Sequence, residues 1–190
     1  MYLSKVVVKS RDTYEQHQAV WKLFPNTPDR KRDHLFRVEE QTNRGCELLL
    51  QSATKPASCE QAQVLATKEF VPKVALDSSY KFKLLAYPTK CLSKSKKVIE
   101  IKEPDEQVEW LQRKLTGANV QVTAMDTLLT RSKKSFNSRF VLFEGILHVL
   151  DVAAIEHALV MGIGRKKHAG AGLLSLARLT QRSEYVQINT

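Results

Sequence analysis

The sequence predicts an α+β protein made of two tandem ferredoxin-like units, each with the order strand, helix, strand, strand, helix, strand. Two observations lead to this prediction: the first half of the chain carries that order of patterns, and the second half repeats it. A length of 190 residues with 43% hydrophobic and 26% charged residues is typical of a globular chain with one or two domains. We therefore expect one unit over residues 1–75, a second over residues 80–179 and a polar tail over residues 180–190.

The first half opens with a β-branched run that predicts a strand. In order, we expect a strand, a helix, two hairpin strands, a short helix and a strand over residues 2–8, 14–24, 35–40, 47–52, 59–66 and 67–71. Asp12 or Thr13 can cap the first helix, and Pro25 ends it. Asn43 and Gly45, between the two paired strands, are typical of a hairpin turn.

The second half repeats this order of elements, although the two halves share no convincing sequence identity. We expect a strand, a helix, two strands, a helix and a strand over residues 80–87, 104–115, 120–130, 139–150, 151–161 and 173–179. Pro104 suits the first turn of its helix, and Asp105 and Glu106 complement the positive end of the helix dipole. Gly117 follows the end of that helix.

The charge balance points to a polyanionic partner. Lys and Arg total 30 against 20 for Asp and Glu, a net charge of +10, and nucleic acid is the commonest polyanion that a soluble protein meets. The apolar runs are too short to span a bilayer, and the first residues lack a signal-peptide pattern, so we expect no membrane association. Three separated cysteines without a CxxC pair indicate neither a disulfide framework nor a zinc site and favour the cytoplasm.

The basic residues form four clusters, and together they predict a surface that binds the phosphates of RNA. The clusters are Arg30, Lys31 and Arg32; Lys90, Lys94, Lys96 and Lys97; Arg131, Lys133, Lys134 and Arg139; and Arg165, Lys166 and Lys167. The third lies at the tip between two predicted strands, so the paired strands form a ribbon that could lie against a duplex. The fourth lies between glycines, whose free N–H groups suit an anion.

The glycine-rich stretch over residues 162–174, GIGRKKHAGAGLL, matches no nucleotide-binding fingerprint. It lacks the GK[ST] ending of a Walker loop. A strand follows it, whereas in a dinucleotide-binding motif a strand precedes the glycines. An ordinary glycine-rich turn and an anion-binding loop are both compatible with the residues alone.

The histidines do not have the spacing of metal ligands, so we expect no metal and no other cofactor. RNA carries its own nucleophile, the 2′-hydroxyl, and a protein can cleave it by handling two protons, which gives a 2′,3′-cyclic phosphate and a 5′-hydroxyl. His17 is the best candidate for a proton handler, and Tyr14, one helical turn earlier on the same face, can position the nucleophile or the phosphate. From the residues alone, a surface role for His17 and a packing role for Tyr14 are the commoner interpretations.

Several stretches resemble a known family, the CasE-type CRISPR repeat-processing endoribonucleases of the repeat-associated RNA-binding superfamily. They are MYLSKVVV, YEQHQAVWKLFPNTPDRKRDHLFRVEE, LLLQSA, EWLQRKL, FEGIL and GIGRKKHAGAGLLSLARL, which lie in collinear order over residues 1–179. The combination of the YxxHxxxWxLFP pattern with the glycine-rich ending makes the resemblance specific. The chain departs from the family at His168, Ala169 and Ala171.

The resemblance implies two tandem ferredoxin-like domains and metal-independent cleavage of CRISPR precursor RNA at the base of the repeat hairpin. It implies that the protein stays bound to the mature guide RNA beside the backbone subunits of a surveillance complex. Tyr14 and His17 coincide with the family's catalytic Tyr and His, and which of them is base or acid is left open.

Two other functions fit parts of the sequence. A non-catalytic scaffold that binds the guide-RNA hairpin would need the same positive charge, although the Tyr14 and His17 pair favours the enzyme. A DNA-binding regulator would need a recognition helix, for which Gln16 and Gln18 give weak support.

Overall fold

The computed structural model describes residues 1–132 and 135–179, with the side chains of residues 131–137 left out of the description. The first unit contains β1 (Tyr2–Val8), α1 (Thr13–Trp21), β2 (His34–Thr42), β3 (Gly45–Ser52) and β4 (Ala62–Glu69). Its four strands form one antiparallel sheet in the order β2-β3-β1-β4. This order places β1 and β3 at the centre, as in a ferredoxin-like sheet.

The second unit has the same strand order. It contains β5 (Ser79–Ala86), β6 (Thr89–Cys91), β7 (Val98–Glu100), α2 (Pro104–Lys114), β8 (Ala118–Ser132), β9 (Ser135–Val149), α3 (Val152–Met161), a 3₁₀ turn (Lys167–Ala169) and β10 (Leu174–Arg178). Four of its strands form an antiparallel sheet in the order β10-β5-β9-β8, while β6 and β7 pair separately. The predicted α+β class with tandem ferredoxin-like units is therefore confirmed.

The helix predicted over residues 59–66 is wrong. The hydroxyl of Ser58, just before this segment, accepts a hydrogen bond from the Val64 N–H at 2.9 Å. The Cys59 N–H donates to the Ala62 carbonyl at 2.8 Å, which forms a turn that leads into β4. Pairing of β4 with the central strand β1 buries Ala62, and this outweighs the helical pattern.

The hairpin of β8 and β9 is longer than its sequence pattern predicts, with 15 residues in each strand. Only the part of β9 from Val141 to His148 also pairs with β5, so the rest of the hairpin extends beyond the sheet as a two-stranded ribbon. The register shifts between Val122 and Ala124, where a bulge adds twist. On the extended part, Leu128 and Leu129 are exposed.

Each unit has its own hydrophobic core. In the first, Val6 and Val8 on β1 are fully buried and alternate with more exposed residues, as expected for a sheet with one covered face. α1 covers that face with Ala19 and Val20. In the second, the core forms around Phe143, Leu84 and the helix residues Leu111 and Ile155. In the part of the chain that the structure describes, no helix is long and apolar enough to cross a membrane.

Arg37, on β2, joins the two units. The residue is only 2% exposed, and its guanidinium donates to the carbonyls of Lys83 at 3.1 Å and Leu173 at 3.0 Å. The same group donates to the Ser175 hydroxyl, and two of its nitrogens donate to the Oε1 oxygen of Glu39. These contacts connect one edge of the first sheet to β5 and β10 of the second, and so fix how the glycine-rich stretch meets the first unit.

Candidate active site

α1 positions the two residues that the sequence singled out. Asp12 caps the helix, because its carboxylate accepts hydrogen bonds from the N–H groups of Tyr14 at 3.0 Å and Glu15 at 3.1 Å. Since Gln16, Ala19 and Val20 form the buried side of the helix, Tyr14 and His17 lie away from that side. His17 is half-buried, with the edge of the Trp21 ring 6.2 Å away between centroids.

The glycine-rich stretch returns to α1 and presents His168 to His17. The two imidazole rings lie 5.8 Å apart between centroids, with their planes at 72°. His168 belongs to the 3₁₀ turn Lys167–Ala169, which lies beside α1 and β2. From the sequence, His168 stands out only as a departure from the family pattern. Its proximity to His17, 151 positions earlier, results from tertiary folding.

Backbone geometry and packing fix this turn. Lys166 and Gly170 flank it in left-handed conformations, with φ of 58° and 87°. A Cβ at Gly170 would lie 3.2 Å from the Phe36 ring, and one at Gly172 would lie 2.8 Å from the Ile163 carbonyl oxygen. The close approaches explain why glycine is needed at these two positions, and they hold the main chain of the turn against the first unit.

Electrostatics favours the neutral form of both imidazoles. Burial lowers the pKa of His17 below its ordinary 6.5, and the nearby charges of Arg32 and His168 lower it further. The pKa of His168 is lowered by burial and then by Arg32 and Lys166. At neutral pH both rings are therefore mainly uncharged and able to accept a proton.

The two ring nitrogens of His17 have different surroundings. Nδ1 is buried and has no hydrogen-bond partner among the residues that the structure describes. This leaves Nε2 as the nitrogen through which the half-buried ring can exchange a proton with a bound ligand. To accept a proton at Nε2, the neutral ring must carry its hydrogen on the buried Nδ1.

Tyr14 lies near the start of the same helix and is 39% exposed. Its hydroxyl accepts a hydrogen bond from the Gln18 side-chain amide at 3.2 Å. The phenol O–H is thereby oriented by a neighbour one turn along the helix, and the side chain remains accessible to a ligand.

A groove of about 730 Å³ begins at His17 and runs along the end of α1 and the loop that follows it. Trp21, Phe24 and Arg30 form part of its wall, with Gln18 and Asn26 supplying amide groups. The Arg30 guanidinium lies over Phe24 at 4.3 Å and Trp21 at 5.1 Å. This combination of aromatic faces, amides and a cation suits the base and phosphate of a nucleotide.

His34 is buried behind this wall and packs against two of its aromatic rings. Its ring stacks on Phe24 with 5.1 Å between centroids and meets Trp21 edge-on at 5.1 Å. Burial lowers the pKa of His34 to about 4, so this imidazole is neutral at pH 7.

Arg32 of the first basic cluster and Lys166 of the fourth lie near the pair of His17 and His168, whereas the other members of these two clusters have different surroundings. Arg32 is exposed and influences both imidazoles, whereas Arg30 pairs with Asp33 in the interior of the groove wall. Lys166 donates to the Ser138 hydroxyl at 2.5 Å and lies over the Tyr87 ring at 4.2 Å. Lys167 donates to the Met161 carbonyl at 2.7 Å. The remaining members, Lys31 and Arg165, are exposed.

The other two clusters lie on different elements. Lys90 pairs with Glu106, while Lys94, Lys96 and Lys97 are exposed between the paired strands β6 and β7. Arg139 is half-buried on β9, where its N–H donates to Glu100. The Arg131 side chain, Lys133, Lys134 and the predicted tail over residues 180–190 lie outside the described part of the structure. β8, which leads to this cluster, passes beside α1.

The described residues include no group of three or more His, Cys, Asp or Glu side chains placed to hold a metal ion. The polar groups around His17 are instead imidazoles, a phenol, amides and cations. They can bind a phosphodiester, accept a proton and donate a proton.

Comparison with known proteins gives close relatives over nearly the whole chain. The chain is 39% identical over 199 residues to the CRISPR system Cascade subunit CasE of Escherichia coli K12, covering 94% of this chain and 100% of the relative. It is 32% identical to the CRISPR-associated endoribonuclease Cse3 of Thermus thermophilus, with coverage of 93% and 100%.

Solved structures agree with this result. The crystal structure of Cas6e from E. coli K-12 is 38% identical, with a TM-score of 0.79 and coverage of 94% of this chain and 100% of that one. T. thermophilus Cse3 bound to an RNA that represents a pre-cleavage complex is 29% identical, with a TM-score of 0.79 and coverage of 93% and 98%. A family model described as CRISPR associated protein matches residues 1–178, and this chain therefore belongs to that CRISPR-associated protein family.

Proposed function

We propose that this protein is an endoribonuclease that cleaves CRISPR precursor RNA at the base of the repeat hairpin. The observation that carries the proposal is the half-buried imidazole of His17, held neutral at the end of a groove beside Arg32. The T. thermophilus relative is named an endoribonuclease, and its structure with a pre-cleavage RNA has the same fold as this chain.

In the proposed reaction the RNA supplies the nucleophile. The 2′-oxygen next to the scissile phosphate attacks phosphorus, and its proton passes to His17 Nε2. The bond from phosphorus to the 5′-oxygen breaks, and that oxygen takes up a proton, which gives a 2′,3′-cyclic phosphate and a 5′-hydroxyl. General base catalysis of this kind increases the cleavage rate by roughly 10²–10⁴-fold. No metal ion is required in any step of the proposed reaction.

Tyr14 and the nearby cations have supporting roles in this proposal. The Tyr14 hydroxyl, oriented by Gln18, positions the phosphate or the nucleophile by hydrogen bonding. Arg32 supplies positive charge where negative charge develops on the phosphate oxygens. The remaining predicted RNA-binding residues, from the ribbon tip to the turn between β6 and β7, would hold the hairpin through its backbone.

We further propose that the protein retains the cleaved hairpin and acts in the cytoplasm as a subunit of a surveillance complex. The E. coli relative is named a Cascade subunit. The net charge of +10 favours slow release of a polyanionic product. Cys46, Cys59 and Cys91 are all free thiols, which is typical of a reducing compartment.

Single-turnover cleavage of a labelled repeat hairpin tests this proposal. The matched substrate differs only in a 2′-deoxyribose on the 5′ side of the scissile phosphate. We expect cleavage of the ribose substrate in EDTA, a cyclic phosphate end, and no cleavage of the deoxy substrate. Cleavage of the deoxy substrate, or loss in EDTA with rescue by Mg²⁺, would overturn the proposed chemistry. Tight binding without any cleavage would favour the guide-RNA scaffold.

A further inference from the structure

We infer that His168 is a second catalytic residue, the proton donor to the departing 5′-oxygen, and that it forms a two-imidazole site with His17. The inference rests on the proposed function and assigns the second of its two proton transfers. It comes from the contact between the glycine-rich stretch and α1, where the two rings lie 5.8 Å apart between centroids.

An in-line displacement requires proton handling at two places. The entering 2′-oxygen and the leaving 5′-oxygen lie on opposite sides of phosphorus in the transition state. A base or acid must approach its oxygen to about 2.6–3.2 Å, so one imidazole does not serve both oxygens at once. Two rings with centroids 5.8 Å apart can contact a single phosphodiester from two directions.

The main chain around His168 is fixed while its side chain is accessible. The left-handed Lys166 and Gly170 flank the residue, and packing of Gly170 on Phe36 holds the turn against the first unit. The Lys167 ammonium anchors the same turn to the Met161 carbonyl at 2.7 Å. His168 itself is exposed, so a bound RNA can reach its ring. A fixed backbone with an open side chain is the arrangement that a positioned acid requires.

The titratable groups that face His168 are the neutral ring of His17 from α1 and two cations, Arg32 from the segment before β2 and Lys166 from its own turn. In the free protein these cations oppose protonation of His168. A phosphodiester bound between the rings brings a negative charge that offsets them and stabilises the imidazolium. Binding of RNA therefore favours protonation of His168, and His168 then donates this proton to the 5′-oxygen.

The reaction balances with the two rings alone. The 2′-hydroxyl proton moves to His17 as the bond from the 2′-oxygen to phosphorus forms. The bond from phosphorus to the 5′-oxygen breaks with its electron pair on oxygen, and the His168 proton moves to that oxygen. Exchange with water returns both imidazoles to their starting states.

A sulfur-substituted substrate separates the two proton transfers. A repeat hairpin with a bridging 5′-sulfur at the scissile position has a thiolate leaving group, which departs without protonation. We expect the His168→Ala protein to cleave the oxygen substrate roughly 10²–10⁴-fold more slowly than wild type and the sulfur substrate at nearly the wild-type rate. The His17→Ala protein is expected to cleave both substrates slowly. The control, His157→Ala at an exposed position on α3, is expected to cleave both at the wild-type rate.

The outcomes distinguish this inference from the function on which it rests. Equal slowing of both substrates by His168→Ala, or no slowing of the oxygen substrate, would overturn the role of His168 while leaving endonuclease activity in place. Hairpin affinity and melting temperature of the His168→Ala protein are measured in parallel, because a folding defect would slow both substrates together. Failure of the wild-type protein to cleave either substrate would overturn the proposed function itself.

Discussion

At the residue scale, burial and the charge of Arg32 together keep two imidazoles neutral. Its guanidinium lowers the pKa of both His17 and His168, in addition to the effect of burial. Arginine suits this role because it remains charged at every pH at which RNA is handled. The neutral fraction of each ring at pH 7 is therefore larger than that of an exposed histidine.

The lowered pKa values have a consequence for the pH dependence of cleavage. A base must be neutral and an acid must be protonated, so kcat/KM is expected to fall as the pH drops below the lowered pKa of His17 and as it rises above the lowered pKa of His168. Arg32→Ala removes one cause of the lowering, and we expect both limbs of the pH profile to move to higher pH. Lys31→Ala, a neighbouring exposed cation, is the matched control. An unchanged profile in Arg32→Ala would contradict the electrostatic account.

Local sequence patterns could predict only part of this site. The positions of Tyr14 and His17 on one helix follow from the three-residue spacing and the cap at Asp12. The approach of His168 to His17 depends on packing between distant segments, for which the sequence offers no periodic signal. The same holds for Trp21, whose spacing only indicates a helix-edge aromatic, although it forms a wall of the groove.

At the scale of elements, the glycine-rich stretch acts as a rigid support for His168. Gly172 has φ of +93°, and a Cβ there would approach the Ile163 carbonyl oxygen to 2.8 Å. A side chain at this position costs on the order of 1–3 kcal/mol in backbone strain and displaces the turn that precedes it.

We therefore expect Gly172→Ala to lower the melting temperature and to reduce cleavage more than hairpin binding. Thermal unfolding and single-turnover rates measure the two effects, with the exposed substitution Thr116→Ala as control. A Gly172→Ala protein with wild-type stability and cleavage would show that the close packing of this stretch is unimportant.

The elements that the sequence predicted well are those whose local and tertiary preferences agree. α1, α2 and α3 each have caps or terminators near their ends, and β1 and β5 each alternate clearly. The helix predicted over residues 59–66 is wrong. Ser58, just before it, is a residue type that often caps helices, whereas here its hydroxyl stabilises a turn. Pairing with β1 then stabilises a strand at this position, and the local sequence does not show that β1 will lie beside it.

At the scale of the whole molecule, Arg37 connects the two units. Its guanidinium donates hydrogen bonds to the carbonyls of Lys83 and Leu173, the Ser175 hydroxyl and the Glu39 carboxylate. An arginine in a strand usually faces water, so its local pattern does not distinguish Arg37 from a surface residue. The structure instead buries it, and a buried group that loses its partner is costly.

Replacement of Arg37 by Met is expected to destabilise the protein by about 2–3 kcal/mol, because the carbonyls of Lys83 and Leu173 lose a buried donor. Urea unfolding measures the loss, and Arg44→Met, at an exposed position in the hairpin turn after β2, is the control. Cleavage is expected to fall as well, since the second unit carries His168 and the first carries His17. Unchanged stability would mean that other contacts suffice to hold the units together.

Cleavage depends on proton transfer by His17, and single-turnover cleavage by the His17→Ala protein in EDTA measures that transfer. We expect cleavage at least roughly 10²-fold slower than wild type, with hairpin affinity unchanged within a factor of about two because phosphate contacts dominate binding. Wild-type cleavage by the His17→Ala protein would contradict this role of His17.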